Sequence, residues 1–245
     1  ISSTEQLAAC AAKHHMLLDL HGLKPFGIQR AYPNILNFEG VKGLENSKWE
    51  PIVNGAPLHD FPRYDVTAPY LRQLAGPMDY TPGAMRNATR QCYMPIYWDP
   101  MSQGTRCRQL AAYVIFEAPL NMLCDSPTSY NAEQECLHFI AKIPTIWNET
   151  VALQGKVGEY VAIARRSGSE WYLGAMTDWS ARTLILNLSF LPEGNWKAEI
   201  FKDGINADRT ACDYSKEIID IPSDRKVQVV MAPGGGGAMR IYRSN

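Results

Sequence analysis

The amino-acid sequence predicts two architectures in series: an α/β part over residues 1–148 and an all-β part over residues 149–245. Three observations predict it. The first part repeats a helix-like stretch, a short apolar run and a polar tip, the pattern of β/α units. Beyond Pro144-Thr145-Ile146-Trp147-Asn148 apolar and polar residues alternate, as in half-buried strands. Turn signals then recur at Ser167-Gly168-Ser169-Glu170, Pro192-Glu193-Gly194, Lys202-Asp203-Gly204 and the glycine run after Pro233. Four β/α units make half of an eight-fold barrel. The expectation is therefore the C-terminal half of a (β/α)8 barrel followed by a small antiparallel β-sandwich domain. A half barrel has open edges and an uncovered interior. The chain is accordingly expected to be the C-terminal part of a longer protein.

Taken in order, Ser2 and Glu5 stand at capping-box spacing and open a helix. Residues 15–20, His-Met-Leu-Leu-Asp-Leu, read as a strand buried on both faces, closed by His21-Gly22. A loop with Lys24 and Arg30 follows. Ile35-Leu36-Asn37-Phe38 is the second strand, tipped by Glu39, and Glu45 lies in the glycine-punctuated loop beyond it. Residues 46–63 form a long polar excursion, and loops of that length tend to be functional. A short helix over 67–74 has Pro69 in its first turn. A third strand and its tip within 75–83 put Asp79 and Tyr80 on the same rim. A helix over 104–117, a fourth strand over 119–124 ending at Asp125, and a helix capped by Asn131 complete the first part. In the second, residues 160–166 and 171–176 form a hairpin, with further strands over 183–191, 196–201, 218–221, 227–231 and 238–242.

Net charge is -1, which gives no electrostatic case for nucleic acid or an anionic membrane. No apolar run approaches the ~20 residues that cross a bilayer. The six cysteines have no CxxC spacing. They read as free thiols of a large domain, with Cys92 and Cys107 able to pair across a loop. No signal-peptide pattern is present.

If the four strands are consecutive staves, their tips bring together His21, Glu39 with Glu45, Asp79 with Tyr80, and Asp125. Such a rim, with Lys24 and Arg30 and with aromatic walls from Tyr32, Trp49 and Tyr80, suits a sugar. Pyranose hydroxyls need several donors and acceptors, and ring faces need aromatic surfaces. Glycoside hydrolysis needs two carboxyl groups, ~5–5.5 Å apart for a covalent intermediate and ~6.5–9.5 Å when water attacks directly. The acid must hold its proton through burial or a like-charged neighbour. Carboxylates at a rim equally suit metal-assisted hydrolysis, so Glu39 and Glu45 read as an acid/base pair, as metal ligands or as surface charge. Asp79 and Asp125 are expected to close strand ends.

The motifs narrow this choice. His21-Gly22, Lys24-Pro25, Gly27, Arg30, Tyr32-Pro33-Asn34, Glu39-Gly40, Gly43-Leu44-Glu45 and Gly76-Pro77-Met78-Asp79-Tyr80-Thr81-Pro82-Gly83 resemble glycoside hydrolase family 97. So do Lys156-Val157-Gly158-Glu159-Tyr160, Trp171-Tyr172-Leu173-Gly174-Ala175-Met176-Thr177 and Ala232-Pro233-Gly234-Gly235-Gly236, in the family's order along the whole chain. The resemblance implies a (β/α)8 barrel of which residues 1–148 carry about strands 5–8, and a C-terminal β domain. It implies that Glu45 is the general acid and Glu39 a calcium ligand, with Glu45 also near the ion. Calcium takes carboxylate oxygens at ~2.3–2.6 Å. His21, Lys24 and Arg30 are the candidate substrate contacts, the two cations pairing with Glu39 as the alternative. A periplasmic or secreted location is implied as well.

The family divides into inverting α-glucosidases and retaining members, notably α-galactosidases. The inverting group carries a base glutamate next to the histidine at the tip of strand five, where this chain has His21-Gly22. The expectation is thus a retaining, exo-acting, calcium-assisted α-glycosidase of the α-galactosidase kind, acting on an oligosaccharide or glycoside. Its nucleophile would be an aspartate on the preceding strand, before Ile1, in the missing N-terminal half of the protein. The alternatives are an inverting α-glucosidase of the same family, an inactive carbohydrate-binding fragment, and another metal-dependent barrel hydrolase. The lack of a histidine cluster weighs against the last.

Overall fold

Helix α1 (Ser2–Lys13) buries the small residues Ala8 and Ala11 and leaves Leu7 exposed. The computed structural model describes residues 2–244, without the Ser2 side chain, so the expected Ser2 cap lies outside it. The chain turns at His15, whose φ is 54°. Strand β1 is consequently only Leu18–Leu20, and Met16 and Leu17, expected within it, are exposed. Strand β2 (Ile35–Phe38) lies parallel to β1, and Phe38 makes a parallel bridge to Met78. Ala8, Leu20, Ile28, Ile35 and Phe38 form the small core beneath them.

The first part is less regular than the sequence predicts. The expected third strand is a single bridge at Met78, and residues 119–124 form no strand. Apolar character alone does not make a strand; it needs a neighbour to satisfy its backbone. Among the described residues this segment has no ladder: Leu120 accepts from Asn37 Nδ2 at 2.6 Å, the Cys124 N–H donates to the Pro82 carbonyl at 3.1 Å, and Leu120, Met122 and Leu123 stay exposed. The long excursion holds a small hairpin, β3 (Ile52–Val53) with β4 (Ala56–Pro57), turned by Asn54-Gly55 at positive φ.

Helices α2 (Phe61–Asp65) and α3 (Ala68–Leu71) lead to the short parallel pair β5 (Asn87–Ala88) and β6 (Ser102–Gln103). Helix α4 (Arg106–Ile115), capped by Thr105, is buried at every residue. Its polar side chains are therefore all partnered: Arg106 with Glu133, Arg108 with Asp65, and Gln109 with the Gly83 N–H. The helix expected to start at Asn131 is two, α5 (Pro127–Ala132), capped by Ser126, and α6 (Gln134–Ile140). All six cysteines are free, and Cys92 is exposed while Cys107 is buried, so the two do not pair.

The remainder is mostly sheet. The strands are β7 (Glu149–Lys156), β8 (Tyr160–Ser167), β9 (Glu170–Thr177), β10 (Arg182–Asn187), β11 (Trp196–Asp203), β12 (Tyr214–Asp220), β13 (Lys226–Met231) and β14 (Gly236–Arg243). Six of them form one antiparallel sheet in the order β12-β11-β14-β9-β8-β7, and β10 pairs with β13 separately. Leu184, Leu186, Val227, Val229 and Met231 alternate inward along β10 and β13 and share an apolar layer with Ala164, Leu173, Met239 and Ile241 of the larger sheet. The opposite face of that sheet receives α4. A Cβ at Gly174 would stand 2.8 Å from the Ala111 carbonyl oxygen, so glycine there admits the helix.

Candidate active site

The parallel pairing of β1, β2 and Met78 brings three strand tips side by side. His21 Nε2 lies 2.7 Å from Asp79 Oδ2 and 3.9 Å from Asp19 Oδ2, while His21 Nδ1 is 4.0 Å from Glu39 Oε2. The Gly22 N–H donates to the same Glu39 oxygen at 2.6 Å. The imidazole is half exposed, whereas the Asp79 and Asp19 side chains are buried, at 1% and 9% exposure. The hydrogen bond to Asp79 raises the His21 pKa above its ordinary value. Burial, with the Asp79 charge beside it, pushes Asp19 up to about 6. Both Asp19 oxygens are buried without a hydrogen-bond partner. Asp79, expected only to close a strand end, also accepts from Thr81 Oγ1 at 3.2 Å.

The loop with the two glutamates is pinned along its backbone. Arg72 donates to the Phe38 carbonyl at 3.0 Å and to the Gly40 carbonyl at 2.9 Å. The Lys42 N–H donates to Tyr64 Oη at 2.9 Å, and the Leu44 N–H to the Tyr80 carbonyl at 3.0 Å. A Cβ at Gly40 would meet the Leu23 carbonyl oxygen at 2.4 Å, so only glycine lets the two loops pass. Lys42 Nζ donates to His59 Nε2 at 2.5 Å, and His59 Nδ1 in turn bonds the buried Glu50. Burial lowers the Arg72 pKa and raises that of Tyr64. Arg72, Tyr64, His59 and Glu50 carry no spacing signal, which is why sequence reading missed them. Asp19 was missed as well, though it carries a local signal as the polar residue inside an apolar run, two positions before His21.

Glu39 ends β2 half-buried, and Glu45 is exposed in the first turn of a 3-10 helix, Leu44–Trp49. Among the described residues neither is paired with Lys or Arg. Lys24 and Arg30 are exposed and lie free of Glu39, so the expected alternative pairing is not formed. Asp125 accepts from the Met85 and Ser126 N–H groups at 2.8 Å each and closes its turn, away from the other tips.

Carboxylate oxygens not engaged by a cationic side chain fit a hard cation, and Glu39 and Glu45 supply them. Calcium takes about six to eight oxygens, so these two would supply only part of such a shell. Among the described residues, Asp19, His21 and Asp79 form the cluster whose potential ligand atoms all lie within 4.8 Å of one another. Its imidazole makes it unlike a calcium shell.

Residues 146–242 match the family described as glycosyl-hydrolase 97 C-terminal, oligomerisation. Over 96% of its length the chain is 54% identical to a retaining alpha-galactosidase of Bacteroides thetaiotaomicron, covering 35% of that protein. Over 82% it is 30% identical to a probable retaining alpha-galactosidase of Streptomyces bingchenggensis, covering 28% of it. Among solved structures, a glycoside hydrolase family 97 enzyme of Pseudoalteromonas in complex with acarbose superposes with a TM-score of 0.84 at 33% identity, over 97% of this chain and 36% of that one. The chain thus spans about a third of the length of these relatives.

Proposed function

We propose, from a chain that belongs to glycoside hydrolase family 97 and matches the C-terminal third of its members, that it is part of a retaining, exo-acting α-glycosidase of the α-galactosidase kind. Residues 1–148 would contribute strands 5–8 of a (β/α)8 barrel and the remainder a β-sandwich. The observation that carries this reading is the pinned loop: four backbone anchors hold the segment between Glu39 and Glu45, yet neither carboxylate is paired with Lys or Arg among the described residues. Carboxylates held at a fixed rim without a Lys or Arg partner, Glu39 by the Gly22 N–H and beside His21, are available for chemistry. The identity to a retaining alpha-galactosidase supports the branch, as does Gly22, which puts no carboxylate beside His21.

In this reading Glu45 protonates the departing glycosidic oxygen. An aspartate outside the present chain attacks the anomeric carbon, and Glu45 then takes a proton from the water that releases the sugar. His21, steadied by Asp79, and the exposed cations Lys24 and Arg30 hold sugar hydroxyls. Glu39 and Glu45 would hold calcium, which supplies a fixed positive charge beside the reacting bond.

The test is Glu45→Gln in the full-length protein. Turnover of substrates with poor leaving groups should fall by about 10²–10⁴, while substrates with activated leaving groups keep most of theirs. Equal loss on both rejects Glu45 as the acid. Proton NMR of the first product should show retained anomeric configuration; inversion selects the α-glucosidase reading instead.

A further inference from the structure

Next to the rim lies a patch of aromatic faces that joins Trp49, expected as a wall of the sugar site, to Tyr97 and Trp98, which the catalytic reading does not use. Trp49, Tyr97 and Trp98 are 48%, 64% and 87% exposed, and the Trp49 and Tyr97 ring centroids are 6.2 Å apart with planes tilted by 32°. Two indoles and a phenol open to water are costly unless something covers them. The patch is built rather than incidental. Buried Tyr93 donates its hydroxyl to the Ser47 carbonyl at 2.6 Å, which ties the 91–100 loop to the 3-10 helix that begins with Leu44-Glu45. Trp49 Nε1 donates to Asn46 Oδ1 at 3.3 Å, setting the indole. Arg86 pairs with Asp99 and holds the far end of the loop. The Lys48 ammonium lies 4.6 Å from the Trp49 ring centre and 5.4 Å from that of Tyr97.

We infer that Trp49, Tyr97 and Trp98 form a stacking platform for the leaving-group side of an oligosaccharide, beyond the sugar whose bond is cleaved. Position argues for this occupant. Trp49 sits four residues past Glu45 on one 3-10 helix, about 8 Å along its axis. A leaving group whose oxygen is protonated by Glu45 extends away from the cleaved sugar across that distance. Chemistry argues for it too. Pyranose rings present apolar C–H faces that stack on indole and phenol, while Lys48 supplies a donor for the hydroxyls at their edges. The inference rests on Glu45 being the acid.

The test uses the full-length enzyme with raffinose, an α-galactoside whose leaving group is a disaccharide, and with α-galactosyl fluoride, whose leaving group offers nothing to stack. Trp49→Ala and Trp98→Ala should each raise KM for raffinose roughly five- to tenfold, the loss of one stacking contact. For Trp98→Ala, turnover number and all kinetics on the fluoride should stay within about twofold. Trp98→Phe should restore most of the loss. An unchanged raffinose KM in both variants overturns the platform. So does equal impairment on both substrates, because the rings would then serve the fold or cover another part of the protein. Raffinose affinity of Glu45→Gln, measured by calorimetry with and without Trp98→Ala, gives a second readout. It should weaken by the same factor, and no change, or no binding at all, also rejects the platform. Failure of the acid assignment registers separately, as equal loss of raffinose and fluoride turnover in Glu45→Gln with the platform variants still altering KM.

Discussion

The two regions of this chain satisfy their polar and apolar groups to different degrees. In the C-terminal sheet region strands of six to eight residues pair along their lengths, and the buried atoms without a hydrogen-bond partner among the described residues are two, Arg165 Nε and Asp203 Oδ1. In the α/β region the strands have two to four residues. There the unpartnered buried atoms are both oxygens of Asp19 and single atoms of Gln29, Asn37, Glu50 and Gln73. Among the described residues exposed large apolar side chains are also more numerous in the α/β region, eighteen against five, with Leu74 at 82% among them, although Ile205 of the sheet region reaches 95%. Buried polar atoms normally find partners, so the α/β region is where further contacts are called for. It is also where the catalytic rim is proposed. Helix α4, packed on β9 and β14, is the joint between the two regions.

The comparison breaks most directly at the joint. Arg108 is fully buried and donates to Asp65 at 3.1 Å, to the Pro62 carbonyl at 2.8 Å, and across the boundary to the Thr177 carbonyl at 2.7 Å. Arg108→Met leaves the Asp65 carboxylate buried without its cation, in surroundings that already push its pKa up. The expected loss is ~3–5 kcal/mol, read as a lower urea midpoint. One shifted transition means that the regions unfold together. A sheet transition left in place while the rest melts would mean that α4 does not couple them.

A smaller effect concerns Asp203, where β11 approaches α4. Its carboxylate accepts from the Ala232 and Gly236 N–H groups at 2.9 and 3.1 Å, yet burial raises its pKa from 3.8 to about 6. A raised folded pKa means that the folded chain binds a proton more tightly than the unfolded one. The stability this contributes is complete below about pH 3.8 and is lost as pH rises through about 6. At most about 3 kcal/mol is involved. Asp203→Asn mimics the neutral acid and keeps a carbonyl oxygen for both N–H groups. It should gain on the wild type by up to that amount between pH 4 and 7, measured as the difference in urea stability; a gap that stays constant with pH rejects the assignment.

Legibility followed the same division. The hairpin was readable because alternation and the Ser167-Gly168-Ser169-Glu170 turn agree, and strands form over Tyr160–Ser167 and Glu170–Thr177 with Gly168 at a φ of 59°. Strand β7 went unread because Glu-Thr-Val-Ala-Leu-Gln-Gly-Lys is polar, exposed and bulged, as an edge strand tends to be. The tips His21 and Glu39 were readable from local pattern. Asp79 was placed on the same rim as the tip of the third expected strand, and only its direct 2.7 Å contact with His21, 58 residues away, went unread. The anchors Arg72, Tyr64 and His59 act on the loop through backbone carbonyls, a hydroxyl and a lysine amine, contacts that leave no periodicity. The shared rim could be read from the strand pattern, and the side-chain contacts that the fold makes behind it could not.

The smallest expected effect sharpens the comparison furthest. Leu186 is fully buried between the two sheets, so Leu186→Ala should cost the 245-residue chain ~2–5 kcal/mol. Leu74 is 82% exposed, and Leu74→Ala should change the same urea midpoint by no more than about 0.5 kcal/mol. Both remove the same atoms, so the difference isolates burial. The paired measurement in the full-length protein then separates two origins of the apolar exposure. If Leu74 faces solvent there too, its substitution stays within that margin. If the rest of the protein packs over this face, Leu74→Ala should approach the cost of Leu186→Ala. The uncovered α/β region would then be a surface awaiting its own chain. A Leu74 effect already larger than about 1 kcal/mol in the 245-residue chain would contradict its exposure and remove the basis for contrasting the two regions.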